Sequence, residues 1–387
     1  MSATDAGRRR LVVWFSLGHM ANDWAPSTLW IVVPAVAAAM GLSPAEVGLL
    51  ITVTHVGGAL GYLPAGVLAD RVANRGRLLL GTFWWVAIGY LAASFAPGFW
   101  TLALMLAIAG LGDAAWHPIA TGVLAQSLPE RRAHALGIHA MTGTFAEVLA
   151  PLGIGFLLAW FDWRVALQIS TIPAILMGIA FFRVAGAVPP SRQHAISLAD
   201  LRALWNIWRA PRGLGVIGMV SVYNMALLAV LAMAPLYLQQ VHGLSLAETG
   251  AVFSAMVLSG ALFQPLVGRL SDATGRKPVF IAGAAAGALA CLAAAWSASL
   301  GLAVPALIAA VAAFYGIRSS VLASVVEFGE QREATTLGLA FMLLDGVGAL
   351  GAALAGAVGS LDLHYAFLLA ACLAAIAAVA AVPIMRQ

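Results

Sequence analysis

The stretch "GLSPAEVGLLITVTHVGGALGYLPAGVLAD" occupies residues 41–70, and "GLSLAETGAVFSAMVLSGALFQPLVGRLSD" occupies residues 243–272. The two align without gaps at a constant offset of 202, and twelve of the thirty positions are identical. An internal repeat of this kind makes the chain two related halves. Each copy is mostly apolar, begins with Gly-Leu-Ser and ends on Asp70 or Asp272.

The rest of the chain has the same character. Of 387 residues, 62% are hydrophobic and 9% charged, and the mean hydropathy is +0.95. Soluble domains carry about 25% charged residues, so this is an integral membrane protein. In hydrocarbon only helices and closed barrels satisfy every backbone group. The apolar runs here are continuous, rich in Ala and Leu, and lack period-two alternation, which indicates helices. Twelve spans are predicted, at 11–39, 46–69, 77–96, 99–127, 134–160, 164–186, 213–240, 246–268, 278–298, 301–326, 333–358 and 363–384. The expected fold class is all-α integral membrane, with two pseudo-symmetric six-helix bundles. The domains are 1–186, a linker at 187–212, and 213–387. Arg8, Arg9 and Arg10 precede an apolar stretch too long for a signal peptide, so it is read as a retained first span.

Of twenty Lys and Arg residues, eighteen fall at the termini or at the connections after even-numbered spans. Arg164 alone lies on the opposite side, as an outer anchor, and Arg318 alone lies within a span. By the positive-inside rule both termini and the linker are cytoplasmic, in the cell membrane or in the inner membrane of a two-membrane host. This topology accounts for the net charge of +4, so nucleic acid is not an expected partner. The linker reads as an amphipathic helix, capped by Ser197 and Asp200, with Leu198, Leu201, Trp205 and Trp208 on one face and Arg202 and Arg209 on the other. Cys291 and Cys372 sit in apolar segments, and no disulfide is expected.

Both repeats end in related loops, "GVLADRVANRGR" (66–77) and "GRLSDATGRKP" (268–278). Twelve spans, two halves, a central loop and this element after spans 2 and 8 resemble the major facilitator superfamily. The resemblance covers the whole chain. It implies a gating role for Gly66, Asp70, Arg71, Arg75, Gly268, Asp272, Arg276 and Lys277. Ala73 replaces the usual glycine in the first copy, and Ala273 the usual arginine in the second. The stretches "LGHMANDWAPSTLWIVVPAV" (17–36) and "GLGDAAWHPIATGVLAQ" (110–126) are similar to the fosmidomycin-resistance branch, whose members are thought to export small anionic or drug-like compounds in exchange for protons. Ile119 stands where that branch commonly has an acid. "TGTFAEVLAPLGIG" (142–155) is similar to the superfamily's antiporter motif, with Ala150 in place of a glycine.

A charged residue at mid-bilayer costs about 2.5–3.5 kcal/mol, so each is a functional candidate. Three sets stand out by helical spacing. His19 and Asp23, with Asn22 adjacent, lie on span 1. Asp113 and His117, flanking Trp116, lie on span 4. His139, Gly143 and Glu147 share a face of span 5. Asp23, Asp113 and Glu147 are the candidate proton carriers. His19, Asn22, Trp116, His117, His139 and Arg318 are the candidate substrate contacts. Matching "PERRAHALG" (129–137) to "GEQREATTLG" (329–338) at their final Gly gives an offset of 201 and pairs His117 with Arg318. An anion between an imidazole and a guanidinium would be well held. Alternatively, Arg318 is neutralised internally by Asp113 or Asp23. His55 reads as structural, Asp345 as a second-choice carboxylate, and Glu327 as interfacial.

His19, Asp23, Asp113 and His117 could supply metal ligands, but no tight two-His spacing is present, so neither metal nor cofactor is expected. There is no GxxxxGK[ST] loop and no Ser-His-Asp order in a strand-turn-helix context, so no enzyme and no direct use of ATP are expected. The expected partners are a small-molecule substrate, protons and the bilayer, with the chain acting as a monomer. The expected activity is proton-coupled efflux of an organic anion or drug-like compound. Uptake by proton symport and a non-transporting membrane sensor or assembly factor are the alternatives.

Overall fold

The structure is a computed structural model, and it describes residues 3–128, 131–190, 202, 205–206, 208–328 and 333–385. Among the described residues twelve helices are long and apolar enough to cross a membrane. They are Arg9–Met40, Pro44–Ala69, Arg75–Ala93, Phe99–Ser127, His134–Leu157 and Trp163–Ala185 in the first half, and Pro211–Gln240, Leu246–Thr274, Arg276–Ala295, Leu300–Val321, Phe341–Gly359 and Leu363–Ile384 in the second. These are spans 1–12. No strand occurs among the described residues. Most of the expected linker helix, including Ser197, Leu198, Asp200 and Leu201, lies outside the described residues. Of its aromatics, Trp205 is exposed and Trp208 is buried.

The repeat builds the start of spans 2 and 8 in the same way. Gly41 and Gly243 take positive φ, 67° and 72°, which side chains resist and glycine accepts. Ser43 and Ser245 then cap the next helix. Each hydroxyl accepts from the backbone N–H three residues on, and Glu46 and Glu248 reach back to the capping residue's own N–H at 2.8 and 2.9 Å. The shared residues Gly-Leu-Ser and Ala-Glu are thus a turn and a capping box, written twice.

Packing repeats as well. Span 2 lies on span 4 as span 8 lies on span 10, and span 3 lies on spans 4 and 6 as span 9 lies on spans 10 and 12. Between the halves, span 2 meets span 11 and span 5 meets span 8. Several of these contacts lie at the end away from the termini. Thr52 donates to the Ala349 carbonyl at 2.7 Å, Ser254 donates to the Val148 carbonyl at 2.7 Å, and the Ala45 N–H donates to Ser360 Oγ at 3.0 Å.

Span 11 was expected to be continuous from 333 to 358, yet its helix breaks between Gly346 and Leu350. The Gly348 N–H bonds to the Leu343 carbonyl, which leaves the Leu344 carbonyl without its usual helical donor. Asn224 of span 7 supplies one, with Nδ2 2.5 Å from that oxygen. Span 6 breaks in the same manner at Thr171, two residues before Pro173, which has no N–H to donate.

The two buried bonds between the halves give a test. Thr52→Val and Ser254→Ala should each lower stability by about 0.6 kcal/mol, the average measured for interhelical hydrogen bonds in a membrane. The losses should add in the double variant, because the two sites share no partner. Thermal unfolding in detergent checks this.

Candidate functional site

His19 lies ten residues into span 1, and His117 lies ten residues before the end of span 4. At 1.5 Å per residue both sit about 15 Å from the face that carries the termini, near the middle of a bilayer core about 30 Å thick. The three polar sets of spans 1, 4 and 5 converge at this depth.

The geometry begins with His139. Its backbone carbonyl lies 2.7 Å from His19 Nδ1. A carbonyl only accepts, so Nδ1 carries the hydrogen and the tautomer of His19 is fixed. His19 Nε2 then points at Asp23, 3.1 Å from Oδ2. His117 Nε2 approaches the other oxygen of the same carboxylate at 3.9 Å. The ring of His139 stacks on that of His19 at 4.1 Å, and the ring of His117 meets it edge-on at 5.2 Å. Asn22 joins Asp23 to the second acid. Its Nδ2 donates to Asp113 Oδ1 at 2.7 Å and lies 3.4 Å from Asp23 Oδ1. The cluster is enclosed but not sealed, since the side chains of His19, Asp23 and His117 keep 10, 14 and 22% of their surface.

The helix of span 10 continues to Phe328, ten residues past Arg318, so the second half brings different chemistry to the same depth. Arg318 of span 10 lies 5.7 Å over the ring of Tyr315. It forms no ion pair within 4.0 Å among the described residues. The carboxylates acting on it electrostatically are Glu147 of span 5 and Asp345 of span 11. The internal partners of the alternative reading, Asp113 and Asp23, are turned toward Asn22 and the histidines. Tyr62 of span 2 bridges the halves. Its hydroxyl donates to Asp345 Oδ2 at 2.5 Å, and its ring lies 5.9 Å from His117 and 5.8 Å from Phe341.

A family model described as Major Facilitator Superfamily matches residues 15–262 and 217–386. The chain belongs to the major facilitator superfamily. A Haemophilus influenzae protein named for metabolite transport is 26% identical over 287 residues, covering 70% of this chain and 69% of its own. An MFS-type efflux pump of Mycolicibacterium smegmatis is 28% identical over 219 residues, about half of each chain at 54% and 51%. Among solved structures, a bacterial homolog of the human lysosomal transporter Spinster, inward-facing and occupied, superposes with a TM-score of 0.80 at 19% identity, covering 97% of this chain and 96% of that one. That likeness concerns the fold.

Within this superfamily member some expected site residues stand apart from the cluster. Trp116 was expected to touch substrate, yet it is fully buried among Phe15, Phe83 and Phe181, with ring centroids 4.8–6.3 Å away. This places the indole on the side of span 4 that faces spans 1, 3 and 6, within a core. His139 is likewise buried, stacked on His19, and its backbone carbonyl orients that ring. His55 packs 5.5 Å from Trp30. Arg164 donates to the Ser94 and Ala96 carbonyls, an anchor between spans 3 and 6. The sequence reading missed Tyr62. An aromatic seven residues after His55, on the same face of span 2, was the signal available for it.

The residues for which the resemblance implies gating lie at the face that carries the termini. Gly66 sits against Pro118, and Gly268 lies near Ser319, so each joins the even-numbered span to span 4 or span 10. Buried Arg75 donates to the Pro189 and Pro190 carbonyls at 2.9 and 2.8 Å and to Gln126 at 3.0 Å. It therefore ties the chain after span 6 to spans 3 and 4. Asp272 approaches Arg276 at 3.9 Å, while Arg71 is exposed and Lys277 is half-buried. The side chains of Asp70 and Glu327 lie outside the described residues.

Gly143 makes room for the cluster. A Cβ there would fall 2.5 Å from Cε1 of the His19 ring, which is held by its hydrogen bond. Gly153, on the same helix, has open space around it. Gly143→Ala should therefore cost about 1–3 kcal/mol of stability by overpacking. Gly153→Ala should gain about 0.5–1 kcal/mol through helix propensity. Paired melting curves check the opposite signs.

Proposed function

We propose that this chain is a proton-coupled secondary transporter that exports a small organic anion or drug-like compound in exchange for protons. The observation that carries the reading is the contact between His19 and Asp23. Because His19 Nδ1–H is committed to the His139 carbonyl, Nε2 and a carboxylate oxygen face each other at 3.1 Å. Two lone pairs at that distance repel, so a proton belongs between them, on the imidazole or on the acid. His117 and the Asn22–Asp113 pair give that proton neighbouring sites. Asp23 and Asp113 are thus the carriers in the first half. Glu147 and Arg318 form a second, opposite-charge set between the halves.

An anion entering between the halves finds the guanidinium of Arg318 on one side and the imidazoles of His19 and His117 on the other. The anionic end of the solute competes with Glu147 for Arg318, and a hydrogen-bond donor on the solute takes the place of the proton shared by His19 and Asp23. Exchange of one ligand for the other follows, which is antiport. The efflux pump among the relatives supports this direction. The units that move are residues 1–186 and 213–387, joined by 187–212, with both termini cytoplasmic. The hydrogen bonds from Thr52, Ser254 and Ala45 then close the outer side of the membrane.

The test has two stages. A thermal-shift screen of the purified protein against organic anions, phosphonates and cationic drugs should return an anionic hit. In proteoliposomes a pH gradient of either sign should then drive flux of that compound. Asp23→Asn should abolish the gradient-driven component, and Arg318→Ala should weaken binding by about tenfold or more, the equivalent of 1.4 kcal/mol. Flux indifferent to the gradient would remove proton coupling, and unchanged binding in Arg318→Ala would remove the anion site.

A further inference from the structure

We infer that His19, Asp23 and His117 form a binding site for a divalent transition-metal ion of the zinc class, at the atoms that otherwise hold the proton. Each residue offers one ligand atom, two imidazole nitrogens and one carboxylate oxygen, and all three atoms lie within 4.8 Å of one another. Around a tetrahedral ion at about 2.0–2.1 Å, ligand atoms stand roughly 3.3 Å apart. His19 Nε2 already stands 3.1 Å from Asp23 Oδ2, and His117 Nε2 stands 3.9 Å from Oδ1 of the same carboxylate, so the set, within 4.8 Å overall, must draw in around the ion.

Three further features point to a ligand. First, the nitrogen that would bind is the one with its lone pair free. Metal-bound histidines characteristically donate their other N–H to a carbonyl or carboxylate, and His19 Nδ1 donates to the His139 carbonyl at 2.7 Å. Second, Asn22 steadies the carboxylate from Oδ1, and its own Oδ1 is buried with no partner among the described residues. Third, the three ligands retain some exposed surface, which leaves a coordination position for water or a solute donor atom. Three protein ligands with one open position is the pattern of working sites, whereas structural zinc sites are closed by four. Two imidazoles with one carboxylate favour zinc, cobalt or nickel over magnesium and calcium, which take oxygen ligands.

Metal and proton would compete for the same atoms, so affinity should fall as pH drops and the imidazoles protonate. The other titratable or charged groups facing the cluster are Asp113, His139, Glu147, Tyr62, Asp345 and Arg318. None of them is a ligand in this geometry. The inference goes beyond the transport reading, because it concerns occupancy and not flux.

The test uses the full-length protein in detergent, stripped with a chelator and dialysed against Zn2+ or Co2+. We expect one ion per chain, cobalt absorption bands of a low-coordinate site, and weaker binding at acidic pH. H19Q and H117Q should each weaken binding by about tenfold or more. H364Q should leave it unchanged, since His364 pairs with Asp362 at the very start of span 12, at the end of the bundle away from the termini. His117→Cys, on protein that elutes and melts as the wild type does, should add a thiolate-to-cobalt charge-transfer band absent from the wild type. No bound ion in the wild type, or binding unaltered in both H19Q and H117Q, would overturn the site. Metal binding without gradient-driven flux would sink the transport reading alone.

Discussion

A charge placed in hydrocarbon must find a partner, and this one constraint organises the molecule. Among the described residues, the few charges near the middle of the spans are turned inward. His19, Asp23, His117, Asn22 and Asp113 satisfy one another within the first half. Arg318, Glu147 and Asp345 act on one another across the halves. The helices fix where each residue can point, and the apolar medium decides that they point at each other. Even the break in span 11 obeys the rule, since the carbonyl it frees is met at once by Asn224.

The two halves share a backbone plan but not a chemistry. Their first turns are built from the same glycine and the same capping box, and their helices pack in the same order. At the matched depth one half presents imidazoles around a carboxylate and the other a guanidinium. A proton or a metal ion suits the first set, and an anion suits the second. Tyr62 touches both, with its ring beside His117 and its hydroxyl on Asp345. A change of protonation on either side of that bridge alters the contact between the halves.

Much of this was legible in the sequence. The repeat announced the duplication, hydropathy placed the spans, and spacing by fours put His19 with Asp23 and Asp113 with His117. What spacing cannot tell is which neighbour a face meets. It placed Trp116 beside His117 in sequence, but an adjacent residue on a helix points about 100° away, and that direction leads into the Phe15, Phe83 and Phe181 core. It gave Asp113 to His117, while the fold gave Asp113 to Asn22 and His117 to Asp23. Tyr62 escaped notice because its spacing from His55 gives only a shared face, while the role of its hydroxyl depends on a partner 283 residues away. The tautomer of His19 depends on a backbone carbonyl 120 residues distant, which no local pattern reveals.

The central claim is that a proton is held between His19 and Asp23 and leaves when the solute binds. The most direct measurement is proton release on solute binding by the purified protein, in weakly buffered solution with a pH indicator. The account predicts release that saturates with solute, falls away at high pH where the site is already empty, and vanishes in Asp23→Asn while binding persists. Solute binding with no proton released, across the whole pH range, would contradict it.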